Sequence, residues 1–564
     1  SSDLTHPGPT GGPDRVCQAG GRGRGQRRSV VAGGEHARIE HQLQAVLRNA
    51  VAHGYFKVDL EIVWTTINSA LPEAAQASVD EAVLRLLSHC ATGQLNAMTA
   101  EQLQALTNTQ VSTLSTTALT SLSNSNLTQL TSSQVSALTT AQIPSLLTGQ
   151  VAALTTEQIG GLGSAQLHVL TTAQLAALTT EQLPSMSATQ IQALSVGQVG
   201  LLATDQLTSL TASEITAMSS AQIVGLSTTQ LGALESQQIQ ALETADIAGM
   251  NTSQISALST DQLSVMPNTL VASIRPASIA VLTPTQLNNL TTGQIESLVS
   301  DQVVALSTSQ LSNMTGSLLS ALTTDNIVAL SSTQIGAITA AQFPALGTLQ
   351  ITAIEHTDIP AITTGALAAF TSDQIVALTP TQVSNLTTDQ LQAITTNQIS
   401  AFGTDDINVL TSRQIGALST DQIDTMSVAQ MQAIASGSLK TLSSDQIQAI
   451  STEQLSGMGT AQIRGFQYSQ IPSFTTDQIS TLTTAEVGAF TTRQAQAFTS
   501  TQIRAFTAWQ VPAIPVENIS NMGTDQVAAF STSQLSAFTS QQIANLTAGQ
   551  IAALSTDQRT VLGV

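Results

Sequence analysis

Side chains able to do chemistry are few in this sequence and stand far apart. The chain of 564 residues has seven histidines and two cysteines. Five histidines precede residue 94, and the other two, His168 and His356, are isolated, whereas a metal site needs several converging ligands. Cys17 and Cys90 stand in neither a metal-ligand nor a redox spacing, and two cysteines cannot build a disulfide framework. Gly160-Gly161 and similar pairs lack the Lys-Ser/Thr that a phosphate-binding loop requires. Acidic residues recur in one register (Glu157, Asp205, Asp261, Asp301, Asp445, Asp477), where an edge of carboxylates could collect calcium weakly, although no run resembles a calcium-binding loop. The same register is the first turn of a short helix, where the helix dipole favours an anion. The sequence therefore assigns no catalytic, cofactor-binding or metal residue, and the expectation is a protein without enzymatic activity.

What does recur is a unit of eight residues, as in Leu154-Thr155-Thr156-Glu157-Gln158-Ile159 and Leu178-Thr179-Thr180-Glu181-Gln182-Leu183. Its Gln register runs from Gln94 to Gln558 without insertion or deletion, about 59 units, of which about 45 keep Gln. Most departures are polar or small (Asn126, Glu214, Asp246, Asn326, Asp358, Asp406, Glu486, Asn518), and the units around Leu270, Ser278 and Leu318 conform weakly. Ser or Thr followed three residues later by Gln is a capping box: the hydroxyl accepts the amide of the third helical residue, and the Gln side chain returns to the amide of the cap. The Leu before the cap and the Ile or Leu after the Gln form the hydrophobic staple. Pro284 and Pro380 fall at the first helical position, where the missing donor is harmless.

One continuous helix is excluded, because eight residues advance about 800° and would wind the apolar stripe around the rod. Each unit is expected to be one short capped helix followed by a bend, and the repetition to generate a superhelix with Ile and Leu inside and Thr, Ser and Gln outside. Pro144, Pro184, Pro344, Pro360, Pro472 and Pro512 resist this picture, since all fall two residues after the Gln position, in what should be helix interior. They call for helices tighter or shorter than two turns. The rival is a β-solenoid with Thr and Gln ladders, but Ala and Gln are weak strand formers, and the Ile, Ala and Leu positions do not keep one parity.

The fold class expected is thus all-α: a solenoid over 94–564 preceded by a small N-terminal helical domain. Residues 1–34 are rich in Gly, Pro and Arg and read as a disordered leader. Residues 35–93 show three apolar stripes at helical spacing and read as a three-helix domain capping the open end of the solenoid. Aromatic residues are only 3%, so the core consists of thin layers of Leu, Ile, Val, Met and Ala. Phe replaces the Leu before the cap at Phe402, Phe466, Phe474, Phe490, Phe498, Phe506, Phe530 and Phe538, and reads as core. The formal net charge is −20, nearly all of it carried by the array, so nucleic acid is not an expected partner. No apolar run of about 18 residues exists to cross a membrane as a helix.

The pattern Thr-x-x-Gln-Ile/Leu-x-x-Leu/Phe resembles the octapeptide arrays of large secreted or surface proteins of proteobacteria, often described as adhesin-like or heme-utilisation-like. The resemblance covers nearly the whole array. It implies an extracellular or cell-surface location and adhesion, and carries over no functional residues. Leu282-Thr283-Pro284-Thr285-Gln286-Leu287 is also similar to the start of the DNA-binding repeats of transcription-activator-like effectors. Those units are much longer and their array is basic, so the likeness does not bring DNA reading with it. The functional expectation is a structural or adhesive element, a stalk, fibre or filament subunit, with self-association or surface and matrix partners. The alternatives are an ice- or crystal-binding Thr array and an intracellular protein-binding scaffold.

Overall fold

The computed structural model describes residues 95–564; the expected leader 1–34 and the three-helix domain 35–93 lie outside the described residues. The described residues fall into two compact units divided between Leu202 and Ala203. Both are all-α repeats, and no strand occurs among the described residues. The β-solenoid alternative is thereby set aside.

The helix Thr388–Ala393 shows why eight residues suffice for one element. Thr387, its N-cap, is extended (φ −74°, ψ 160°), accepts the Gln390 amide on its hydroxyl and has its own amide bound by the Gln390 side chain. Ile394 at the other end is again extended (φ −66°, ψ 143°), because it is already the staple residue before the next cap at Thr395. Two extended residues, Ile394 and Thr395, thus separate this helix from the next and form the bend; α-helices among the described residues have four to seven residues. The helices are too short to be stable alone. Their stability comes from packing: Leu391 and Ile399, each directly after the Gln, are fully buried, as is Ile394 before the cap.

The partners of that packing lie three units away. Thr388–Ala393 contacts Thr364–Ala368 below and Ser412–Ala417 above; in the first compact unit Thr148–Ala153 lies between Asn124–Leu127 and Thr172–Ala177 in the same way. Side-chain hydrogen bonds between coils span 25 residues, as from Asn288 to Asn313, to 31, as from Gln390 to Ile359. Their midpoint, 28 residues, sets one coil at about three and a half eight-residue units.

All six anomalous prolines lie in 3₁₀ turns: Ile143–Ser145, Leu183–Ser185, Phe343–Ala345, Ile359–Ala361, Tyr468–Ser473 and Val511–Ala513. A unit this short makes only one or two bonds that Pro could abolish, and the tighter i to i+3 bonds, such as Leu346 N–H to Phe343 O at 3.0 Å, survive. The phenylalanines before the caps are core, and successive ones meet edge to face: Phe466 and Phe474 have ring centroids 5.0 Å apart at 82°.

Candidate functional site

The recurring feature that joins one coil to the next is the Gln side chain. Gln was expected to cover the outside; the structure corrects this, since Gln390 is 2% exposed and most others are equally buried. Gln390 Oε1 accepts the Thr387 amide at 2.8 Å, which is the capping bond. Its Nε2 donates twice to the coil below, to Ile359 O at 2.8 Å and Ile362 O at 2.6 Å. Gln158 in the first compact unit does the same with Thr155, Leu127 O (3.0 Å) and Leu130 O (2.6 Å). The two carbonyls belong to the residue after the Gln and the residue before the next cap, four units back. Each short helix leaves such carbonyls over at its C-terminal end, and they are buried. A primary amide has one acceptor and two donor hydrogens, and this site uses them all.

The hydroxyl half of the capping box is dispensable; the Gln half is the constant. Where the cap has no hydroxyl, as at Leu147, Gly163, Val299 or Gly347, the Gln oxygen still accepts the cap amide, at 2.7 to 2.9 Å.

Several departures from Gln are compensated. At Pro267 the cap has no N–H for a Gln oxygen to accept, and the Gln position holds Leu270. At Ser278 the guanidinium of Arg275, the cap residue, donates to Met250 O, the carbonyl 28 residues before Ser278. Opposite Leu318, the amide of cap Thr315 is taken by Asn288 Oδ1 at 3.0 Å, while Asn288 Nδ2 donates to Asn313 O at 2.7 Å. Asn96 makes the same pair of bonds to Ser123 and Ser121 where the Gln position is Asn126. Short polar replacements receive a hydroxyl from 26 residues earlier: Thr492 to Asn518 at 3.0 Å, Ser332 to Asp358, and Ser412 against Ser438 at 3.1 Å. Around Ser438 the coils also approach closely. A β-carbon on Gly465 would lie 2.2 Å from Ser436 O, so only glycine fits there.

Carboxylates in the Gln position have an acceptor for the cap amide and, when ionised, no donor for the coil below. Asp406 accepts the Gly403 amide at 2.9 Å, and burial pushes its carboxyl above the ordinary value. Glu486 is buried further; Oε2 accepts the Thr483 amide at 2.7 Å, and Oε1 has no hydrogen-bond partner.

The structure does not bring together the reactive residues considered from sequence. His168 and His356 are both exposed, each in a different compact unit. Gly160 and Gly161 form a helix end. Glu157, Asp205, Asp261, Asp301, Asp445 and Asp477 stand exposed in first turns. Among the described residues no group of three or more His, Cys, Asp or Glu is placed to hold a metal ion. No helix among them is long and apolar enough to cross a membrane.

This geometry makes the octapeptide the building block of the described residues, and comparison with known families also finds repeats. The ALTTAQ repeat family model matches residues 145–180, 213–244, 239–274, 319–348, 351–388, 386–420, 401–436 and 519–562. The chain is a repeat protein. Its own Ala137-Leu138-Thr139-Thr140-Ala141-Gln142 spells the family's name in the register of staple, cap and clip. Residues 34–79, outside the described residues, match the ribonuclease HepT-like family model. No curated protein matches the chain. Among solved structures, a chain from a homology model of the full-length AP-3 complex in an intermediate open conformation is matched at 12% identity. That match covers 95% of this chain and 98% of that one with a TM-score of 0.19.

Proposed function

We propose that the array is a structural or adhesive element of a bacterial cell surface, a stalk, fibre or filament subunit whose repeated units present one surface chemistry many times over. The observation that carries this reading is the unbroken clip register. Within each compact unit the Gln bonds recur at steps of 28 and of 30 or 31 residues, and at several positions without Gln another side chain takes over part of its work. Among the described residues no loop interrupts the register to build a localised site, whereas catalytic and ligand sites on repeat scaffolds are often carried by such insertions. Exposed Thr and Ser at the first helical positions, with few charges, give a hydroxyl-rich exterior suited to many weak contacts and not to one specific ligand. The acidic balance argues against nucleic acid as the partner of this surface.

The test is made on cells of the source organism. Antibodies raised against 203–564 should label intact cells, and deleting the array should reduce attachment or surface assembly. Shortening it by whole units should retain that property in proportion to length. Labelling only after permeabilisation would contradict the surface role. Complete loss of attachment on removal of any single group of units would contradict the distributed one.

A further inference from the structure

Glu486 occupies a site shaped for an amide. In the flanking clips the second polar atom is a donor: Gln478 Nε2 reaches Ile447 O at 2.8 Å and Ile450 O at 2.6 Å, and Gln494 Nε2 reaches Ile463 O and Phe466 O, both at 2.8 Å. The same backward steps of 31 and 28 residues from Glu486 fall on Leu455 and Met458. Glu486 Oε2 does the work of the Gln oxygen on Thr483, so Oε1 stands in the place of Nε2, buried and without a partner. An ionised oxygen there would oppose carbonyl oxygens, a repulsive arrangement in a dry site. A protonated one supplies the O–H that the site requires.

We propose that Glu486 closes its coil with a proton where other units use an amide hydrogen, making this position a joint that is tight in acid and loosens toward neutral pH. The charged groups on the elements around it leave that logic intact. Thr460–Gly465 carries Arg464, whose Nε donates to Ala489 O at 3.2 Å, at the far end of the Glu486 helix. Thr452–Ser456 carries Glu453, Thr476–Thr481 carries Asp477, Thr492–Ala495 carries Arg493 and Val516–Asn521 carries Glu517, all exposed, and Val511–Ala513 carries no charge. Burial, the dominant influence, pushes the Glu486 carboxyl above 4.5, while the Thr483 bonds pull it down by less. The sign follows by linkage. Below pH 4.5 both folded and unfolded chains hold the proton, and the joint is complete. As pH rises past that value the unfolded chain ionises first, so stability at this joint falls until the folded carboxyl ionises too, and is flat beyond.

The experiment is amide hydrogen exchange on the full chain and its Glu486→Gln variant from acid to neutral pH. Residues 483–490 should be markedly less protected in the parent than in E486Q at neutral pH, and equally protected below pH 4.5. Gln390→Glu should import the same dependence to residues 387–394. Equal protection in parent and E486Q at every pH overturns the proposal, as does a parent that loses protection in acid. A Gln390→Glu variant whose protection does not change with pH overturns the attribution to the carboxyl.

Discussion

At the residue scale, one side chain carries two duties, only one of which is local. The capping box needs an acceptor oxygen three residues after the cap, and that duty is legible in Thr387 and Gln390 alone. The second duty, donation to Ile359 O and Ile362 O, joins residues 28 and 31 apart, and no local pattern announces it. A signal existed in the choice of amide over acid. Glu serves a capping box as well as Gln does, yet it fills the position only at Glu214 and Glu486, as expected if the site needs a donor. Taken as a cap alone, Gln390→Ala is expected to be mild; the structure reverses that expectation. Truncation leaves the part-buried Thr387 amide and the buried Ile362 carbonyl without their partners, each worth about 1 to 3 kcal/mol. Gln390→Ala should therefore lower stability by about 3 kcal/mol, approaching the severe effect of placing a carboxylate in the core by Ile399→Asp. Thr387→Ala, which removes only the hydroxyl, should cost about 1 kcal/mol. Chemical denaturation of the three variants checks the order, and a Gln390→Ala effect no larger than that of Thr387→Ala would show that the inter-coil bonds contribute nothing net.

At the scale of the element, the sequence is almost self-explanatory, because each unit contains its own start and stop. The staple, the cap, Pro284 and Pro380 at first positions and the extended residue before the next cap all behave as their chemistry dictates. The six prolines in apparent helix interiors conflict with an α-helix of ordinary length and not with a unit that can close on i to i+3 bonds. It follows that Pro at this position should be tolerated in ordinary units. Val376 is exposed at the end of Ser372–Val376. Val376→Pro should shift the unit to a 3₁₀ turn and cost about 1 kcal/mol, well under the roughly 3 kcal/mol of Pro in a long helix. Thermal unfolding gives the magnitude, and a loss near the higher figure would mean that the native proline units depend on compensation elsewhere. What sequence reading did not reach at this scale is which helices touch. Neighbours along the chain are separated by the bend, and the packed partners are three units off, a number set by bend geometry and not by side-chain periodicity.

At the scale of the whole molecule, the all-α repeat architecture was legible from period and capping, while the length of a coil was not. A coil of about three and a half units means that no unit sits directly above another, so each helix packs three units away and clips four units away. Most units obey the same rule, and a whole number of them can be removed with the rule intact. The central claim is this equivalence, set by an eight-residue register and closed by the Gln clips. The most direct measurement is the stability of two internal deletions in 203–564, followed by hydrogen exchange along the chain. Removing residues 379–442, eight complete units, should leave exchange protection on both sides of the junction within about twofold of the parent. Removing only residues 379–382 should strip protection from about one coil on each side, because every clip that crosses the junction then meets the wrong carbonyls. Similar behaviour of the two deletions, or greater damage from the eight-unit one, would contradict the account.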